Sequence, residues 1–170
     1  NSFNSDFSYG DIVTGTYPMS ATILREYYQT GESRTHLNAL RNTLDYYLFL
    51  SNHYSYSSSL GDKSSQPLNL LSIPSIFYGS GIKKGTVKLD FYISGTVIGT
   101  LEDLNNNGEL IQTGPSGSNG SGSIAGVILY TEGFIILTGS WALETGISRK
   151  YLNDISNQVT SSWLYFGTGM

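Results

Sequence analysis

A run of short strands between residues 86 and 141 constrains the fold most. From Thr86 to Ser94, the apolar residues Val87, Leu89, Phe91 and Ile93 alternate with more polar ones, which is the two-residue period of a strand with one buried face. Four further segments have strand composition: 96–102, 109–113, 124–130 and 134–141. Short turn sequences rich in Asn and Gly separate them, as expected between antiparallel strands. This pattern predicts a mainly β fold, an antiparallel β-sandwich or a barrel-like meander.

One helix is predicted before these strands, at about 34–51. Leucines and a tyrosine recur there at three- and four-residue steps, which places them on one helical face: Leu37, Leu40, Leu44, Tyr47 and Leu48. Residues 68–78 predict one more strand, interrupted by Pro74. Near the ends, the sequence predicts short helices at 21–28 and 151–158 and a last strand at 162–166. No second core is predicted.

The chain therefore divides into an extended N-terminal arm, residues 1–32, and a single β-rich domain with one helix, residues 33–170. The arm is rich in Ser, Asn, Tyr and Gly. Both ends look like those of a processed protein or of a segment of a longer polypeptide.

Composition excludes several function classes. The chain has no cysteine, which rules out a disulfide scaffold, a cysteine zinc site and a thiol enzyme. A net charge of −4 argues against nucleic-acid binding, which needs clustered Lys and Arg. No run approaches the ~18 apolar residues of a membrane span, so no membrane partner is expected. Only 13% of residues are charged, about half the usual share, which suits a surface covered by protein partners.

No catalytic, cofactor or metal site is predicted, and the chain is expected not to be an enzyme. The segment from Asp103 to Gly108 has the oxygen ligands and the glycine of the first half of a calcium loop. However, Gly114 stands where the closing glutamate should be, which favours a plain hairpin turn over an ion site. The glycine-rich segment 79–85 lacks the spacing of a dinucleotide-binding motif, and 114–122 lacks the Lys-Ser/Thr that a phosphate loop needs.

Aromatic residues are the candidate contact residues, because Tyr, Phe and Trp supply large contact areas at interfaces. Predicted subunit contacts lie in the arm and just after the helix: Phe3, Phe7, Tyr9, Tyr17, Tyr54 and Tyr56. An alternative is a glycan-binding module in which Trp141 or Trp163 stacks on a sugar ring. That alternative requires an exposed indole beside polar side chains.

Three motifs carry a resemblance to a known class of protein: SIPSIFYGSGIKKG (72–85), NNGELIQTG (106–114) and GVILYTEGFIILTGSW (126–141). With the helix before them, they resemble a virion structural protein of large contractile-tailed marine or cyanobacterial bacteriophages, over about two thirds of the chain. The resemblance implies a non-enzymatic building block of the virion, in the tail, baseplate or neck. Its expected partners are other virion proteins and further copies of itself. Two alternatives remain, a receptor- or glycan-binding module at the tail tip and a capsid decoration protein.

Overall fold

The computed structural model describes residues 24–28, 35–63, 65–75, 78–93, 95–144, 147, 149–151 and 154–166. The strands are β1 (Leu24–Tyr28), β2 (Ser57–Ser58), β3 (Gly61–Asp62), β4 (Leu68–Ser72), β5 (Lys88–Ile93), β6 (Thr96–Glu102), β7 (Glu109–Gly114), β8 (Ile124–Leu129), β9 (Phe134–Leu137), β10 (Arg149–Tyr151) and β11 (Asp154–Val159). The α-helices are α1 (Thr35–Ala39) and α2 (Arg41–Tyr47), and 3-10 helices cover Asn52–Tyr54 and Trp163–Tyr165.

Seven strands form one antiparallel sheet in the order β1-β4-β9-β8-β7-β6-β5. This curled half-barrel confirms the predicted mainly β, barrel-like class, and β5 to β9 form the predicted meander. The two-residue period of β5 is also confirmed, because Phe91 and Ile93 are buried while Lys88 and Tyr92 are exposed. The hydrophobic pattern of this strand therefore determines which face meets the core.

The central strands of the sheet are buried on both faces. On one face, Leu44, Tyr54 and their neighbours pack with the side chains of Val127, Leu129 and Ile136. On the other face, a second cluster includes Trp163 and large apolar residues of β5 to β9. The helices therefore cover one side of the half-barrel, and the C-terminal residues fill the other.

The predicted helical region is divided in two at Leu40. The Leu40 N–H donates to the carbonyl of Leu37 at 3.0 Å, which is the tighter three-residue spacing of a 3-10 turn. Despite the break, Leu37, Leu40 and Leu44 are all buried in the same cluster. The spacing thus predicted these three buried leucines correctly, but α2 ends at Tyr47, short of residue 51, and Leu48 is exposed.

Three predictions near the chain ends are wrong. Residues 24–28 form strand β1 and not a helix, because they pair antiparallel with β4. The region predicted as a C-terminal helix contains the hairpin β10–β11. The predicted last strand is instead the 3-10 helix Trp163–Tyr165. In each case pairing or packing with residues distant in sequence overrides local propensity.

The C-terminal 3-10 helix bridges the two edges of the half-barrel. On the β1–β4 side, Arg25 Nε and Asn69 Nδ2 each donate to the Phe166 carbonyl at 2.8 Å. On the β5 side, the ring of Phe91 lies 5.6 Å from that of Phe166 and 5.8 Å from that of Trp163. Aromatic packing at these distances is favourable beyond the area it buries. Residues 163–166 therefore hold the curl of the sheet.

Candidate interaction surface

Tyr54 and Tyr56 lie in the interior and not on the surface. Tyr54 is fully buried, its hydroxyl donates to the carbonyl of Ile128, and its ring stacks on Tyr47 with centroids 5.1 Å apart. Tyr56 is buried as well, and its hydroxyl donates to Asn38 Oδ1. The prediction that these two rings contact other subunits is therefore wrong. The turn after α2 directs both rings into the space between the helices and the sheet.

Both indoles direct their N–H groups inward, to one side chain. Gln112 Oε1 accepts from Trp141 Nε1 at 2.7 Å and from Trp163 Nε1 at 3.0 Å. Trp163 has no exposed surface, so the alternative in which it stacks on a sugar ring is wrong. Trp141 is half-buried, and its ring lies close to Gly120 and Gly139. The two tryptophans are thus part of a hydrogen-bonded interior.

Gly99 leaves room for the indole ring of Trp163. A Cβ atom placed on Gly99 would lie 2.7 Å from Cζ2 of Trp163, closer than ordinary van der Waals contact allows. Strand β6 can therefore pass over the indole only with glycine at this position. Glycine in a strand often marks such a close approach.

The segment from Asp103 to Gly108 forms the predicted turn, between β6 and β7. The buried Asp103 carboxylate accepts from the N–H of Gly108 at 3.0 Å, the N–H of Gly85 at 3.0 Å and the hydroxyl of Tyr130. Burial and this last hydrogen bond raise the pKa of the Tyr130 hydroxyl. The carboxylate thus joins two loops and a core tyrosine. Within the described residues, no three His, Asp or Glu side chains are placed to share a metal ion.

A second polar cluster lies after α2. Ser51 Oγ donates to Glu109 Oε1 at 2.5 Å and accepts from the backbone N–H of His53 at 3.1 Å. Nearby, Lys63 Nζ donates to the carbonyls of His53 and Ser55 at 2.8 and 2.6 Å, and burial lowers the pKa of Lys63 to about 8. The adjoining cavity, lined by His53 and Lys63, measures about 20 Å³, close to the size of one water molecule. The Ser51–Glu109 hydrogen bond joins the start of the 3-10 helix Asn52–Tyr54 to β7, and Lys63 holds its C-terminal end from the residue after β3.

Exposed aromatic and apolar side chains gather where α2 ends. Tyr46 is 78% exposed, Phe49 is 82% exposed and Leu48 is 36% exposed. We call these three residues the helix-end patch. Tyr46 and Phe49 lie off the stripe formed by Leu37, Leu40 and Leu44, and that position is the signal by which sequence analysis could have found them. Leu48 was predicted on the buried stripe, and that prediction is wrong because α2 ends at Tyr47 and the chain turns away there. The predicted arm contacts, at Phe3, Phe7, Tyr9 and Tyr17, lie outside the described residues.

The outermost strand β5 is a second exposed feature. In the described part of the chain β5 pairs only with β6, so one side of β5 is an open edge. Its outward side chains include the exposed Lys88 and Tyr92, the latter 58% exposed. Open antiparallel edges carry unpaired backbone groups that can bind another strand. We call this feature the β5 edge.

Comparison with known proteins finds no matching family model, no matching curated protein and no matching solved structure. Across the residues that the structure covers, no helix combines the length and apolar character needed to cross a membrane.

Proposed function

We propose that this protein is a non-enzymatic structural component of a tailed bacteriophage virion, in the tail, baseplate or neck. It would act by assembly, through contacts with other virion proteins and with further copies of itself. The observation that carries the proposal is the helix-end patch, where Tyr46 and Phe49 are 78% and 82% exposed. Exposed aromatic side chains of this kind are common anchors of protein interfaces.

Two features of the whole chain support this function. The resemblance of residues 70–141 to a virion structural protein names the class of assembly. The low charge content, 13% of residues, reduces repulsion between closely packed copies. A capsid decoration protein would share both features and differ only in its location, which the experiment below also determines.

The experiment uses the phage that encodes this chain. Particles are purified on a density gradient, and the chain is quantified by mass spectrometry and located by cryo-electron microscopy. We expect a fixed copy number per particle and density in the tail, baseplate or neck. Purified particles without the chain would overturn the proposal, and density on the capsid would favour a decoration protein.

Variants connect assembly to the helix-end patch. Tyr46→Ser combined with Phe49→Ser is expected to reduce incorporation into particles several-fold, because truncation of interface anchors weakens binding most. Leu104→Ser is the matched control, since Leu104 is also an exposed apolar residue but lies in the β6–β7 turn. Circular dichroism of the purified proteins checks that each variant is folded. Equal incorporation of both variants would show that the patch is not the contact.

A further inference from the structure

The β5 edge has a defined hydrogen-bonding phase. The N–H of Asp103 donates to the Val87 carbonyl at 3.4 Å, and Leu89 lies opposite Leu101 in the same register. In an antiparallel ladder, successive residues alternate between pairs that exchange hydrogen bonds and pairs that do not. Val87 and Leu89 therefore direct their backbone groups toward β6. Lys88 and Asp90 direct theirs outward, to the open edge.

A lysine on an edge strand ordinarily discourages pairing with another strand. In β5, however, an acidic residue, Asp90, stands two positions after the lysine, so the two side chains lie on the same face of the sheet. Asp90 is half-buried, and its Oδ1 accepts from Thr100 Oγ1 at 2.8 Å, which holds the carboxylate over the sheet. The edge thus carries one positive and one negative charge in adjacent outward positions.

This pattern is complementary to itself. In an antiparallel pair of β5 strands, outward-directed residues must lie opposite outward-directed residues. Lys88 opposite the partner's Lys88, or Asp90 opposite the partner's Asp90, would place like charges together. A register with Asp90 opposite the partner's Tyr92 forms no charge pair. Lys88 opposite the partner's Asp90 forms two opposite-charge pairs, because two-fold symmetry repeats the contact.

The apolar side chains on the opposite face of β5 are compatible with the same register. It places Leu89 opposite the partner's Leu89, and Val87 opposite the partner's Phe91. Val87 and Leu89 are only partly buried, although they pack against the core cluster. Pairing would cover these apolar side chains, which is favourable. The charged face of β5 therefore selects the register, and the apolar face is compatible with it.

We infer that the β5 edge binds the β5 edge of a second copy of this chain, with Lys88 opposite the partner's Asp90. The two sheets then continue as one antiparallel sheet across a two-fold axis through Leu89. This inference rests on the proposed assembly function and deepens it by naming one partner.

Charge exchange tests the inference on the full chain. The dissociation constant of the dimer is measured by sedimentation equilibrium for the wild type, Lys88→Asp, Asp90→Lys and the double variant. Each single change replaces two attractive pairs with two repulsive ones and is expected to weaken the dimer at least about tenfold. The double variant restores opposite charges and is expected to return to within about threefold of the wild type. Lys83→Asp makes the same change in net charge as Lys88→Asp on an exposed residue outside β5, and it is expected to have no effect.

Hydrogen exchange on the wild type gives a second, variant-free measurement. The amide N–H groups of Lys88 and Asp90 are expected to exchange more slowly as the protein concentration rises, because pairing covers them. Unfolding of each variant is followed as well, because Lys88 also lies opposite Glu102 within the chain. Slowed exchange at these two amides supports the inference even if a variant is unstable.

Three results would overturn the inference: a wild type that stays monomeric, a dimer that the single variants leave unchanged, or a double variant that is not rescued. None of these would by itself overturn the proposed function, because other virion proteins could still bind the helix-end patch. Conversely, particles that lack the chain would overturn the proposed function and leave a β5-paired dimer intact.

Discussion

Replacement of Gln112 by leucine tests how much the buried hydrogen bonds to both indoles contribute to stability. Gln112 is fully buried in β7, and its amide makes four hydrogen bonds. The carbonyl oxygen accepts from both indole N–H groups, and Nε2 donates to Ser118 Oγ at 3.0 Å and to the Asn119 carbonyl at 2.8 Å. One side chain thus connects β7, the loop after it and both tryptophans.

The expected loss of stability in Gln112→Leu comes from the hydrogen-bonding groups that it leaves without partners. Leucine has a similar volume, so the cavity term is small and the polar terms dominate. A buried donor left without an acceptor costs about 1–3 kcal/mol, and this applies in full to Trp163 Nε1. Trp141 and the Asn119 carbonyl are nearer the surface and can recruit water in part. We expect the free energy of unfolding to fall by about 2–5 kcal/mol.

Urea unfolding measures this free energy, and NMR shows where the change occurs. The chain has two tryptophans, so two indole N–H resonances report the two hydrogen bonds to Gln112 directly. Both resonances are expected to shift in Gln112→Leu. Gln158→Leu is the matched control, because Gln158 is exposed and its replacement should change stability by less than about 0.5 kcal/mol. A Gln112→Leu protein that loses under about 1 kcal/mol and keeps both indole resonances would refute the reasoning.

Two further predictions concern the turn after β6 and the buried lysine. Gly108→Ala is expected to lower the free energy of unfolding, measured in urea, by about 1–3 kcal/mol more than Gly117→Ala does. Both glycines have a positive φ, but only at Gly108 would a Cβ atom overlap the Tyr54 hydroxyl. Equal losses would contradict this. The pKa of Lys63 is lowered by burial from 10.5 to about 8. Between these values the unfolded state binds more protons, so the stability of the wild type relative to Lys63→Met should rise by up to about 1.4 kcal/mol per pH unit from pH 8 to 10. A pH-independent difference over that range would show that Lys63 does not titrate as proposed.

The candidate interaction surface was only partly predictable. The period of β5 predicts that Lys88, Asp90 and Tyr92 share an outward face, because side chains in a strand alternate between two faces. Whether β5 lies at an edge or at the centre depends on the strand order of the whole sheet, which no local pattern encodes. In the same way, the stripe on the helices predicts which leucines are buried. It does not predict that Tyr54 and Tyr56, just beyond α2, turn into the same core.

By itself, the sequence determined the mainly β class, the strands β5 to β9 and the turn from Asp103 to Gly108. These features depend on the alternation of apolar residues and on turn-forming Asn and Gly, which act between near neighbours. Only the tertiary structure decided that residues 24–28 add a strand to the sheet and that both indoles converge on Gln112. It also decided that the C-terminal 3-10 helix bridges β1 and β5. These outcomes depend on contacts between residues far apart in the chain, where burial and hydrogen bonding outweigh local preference.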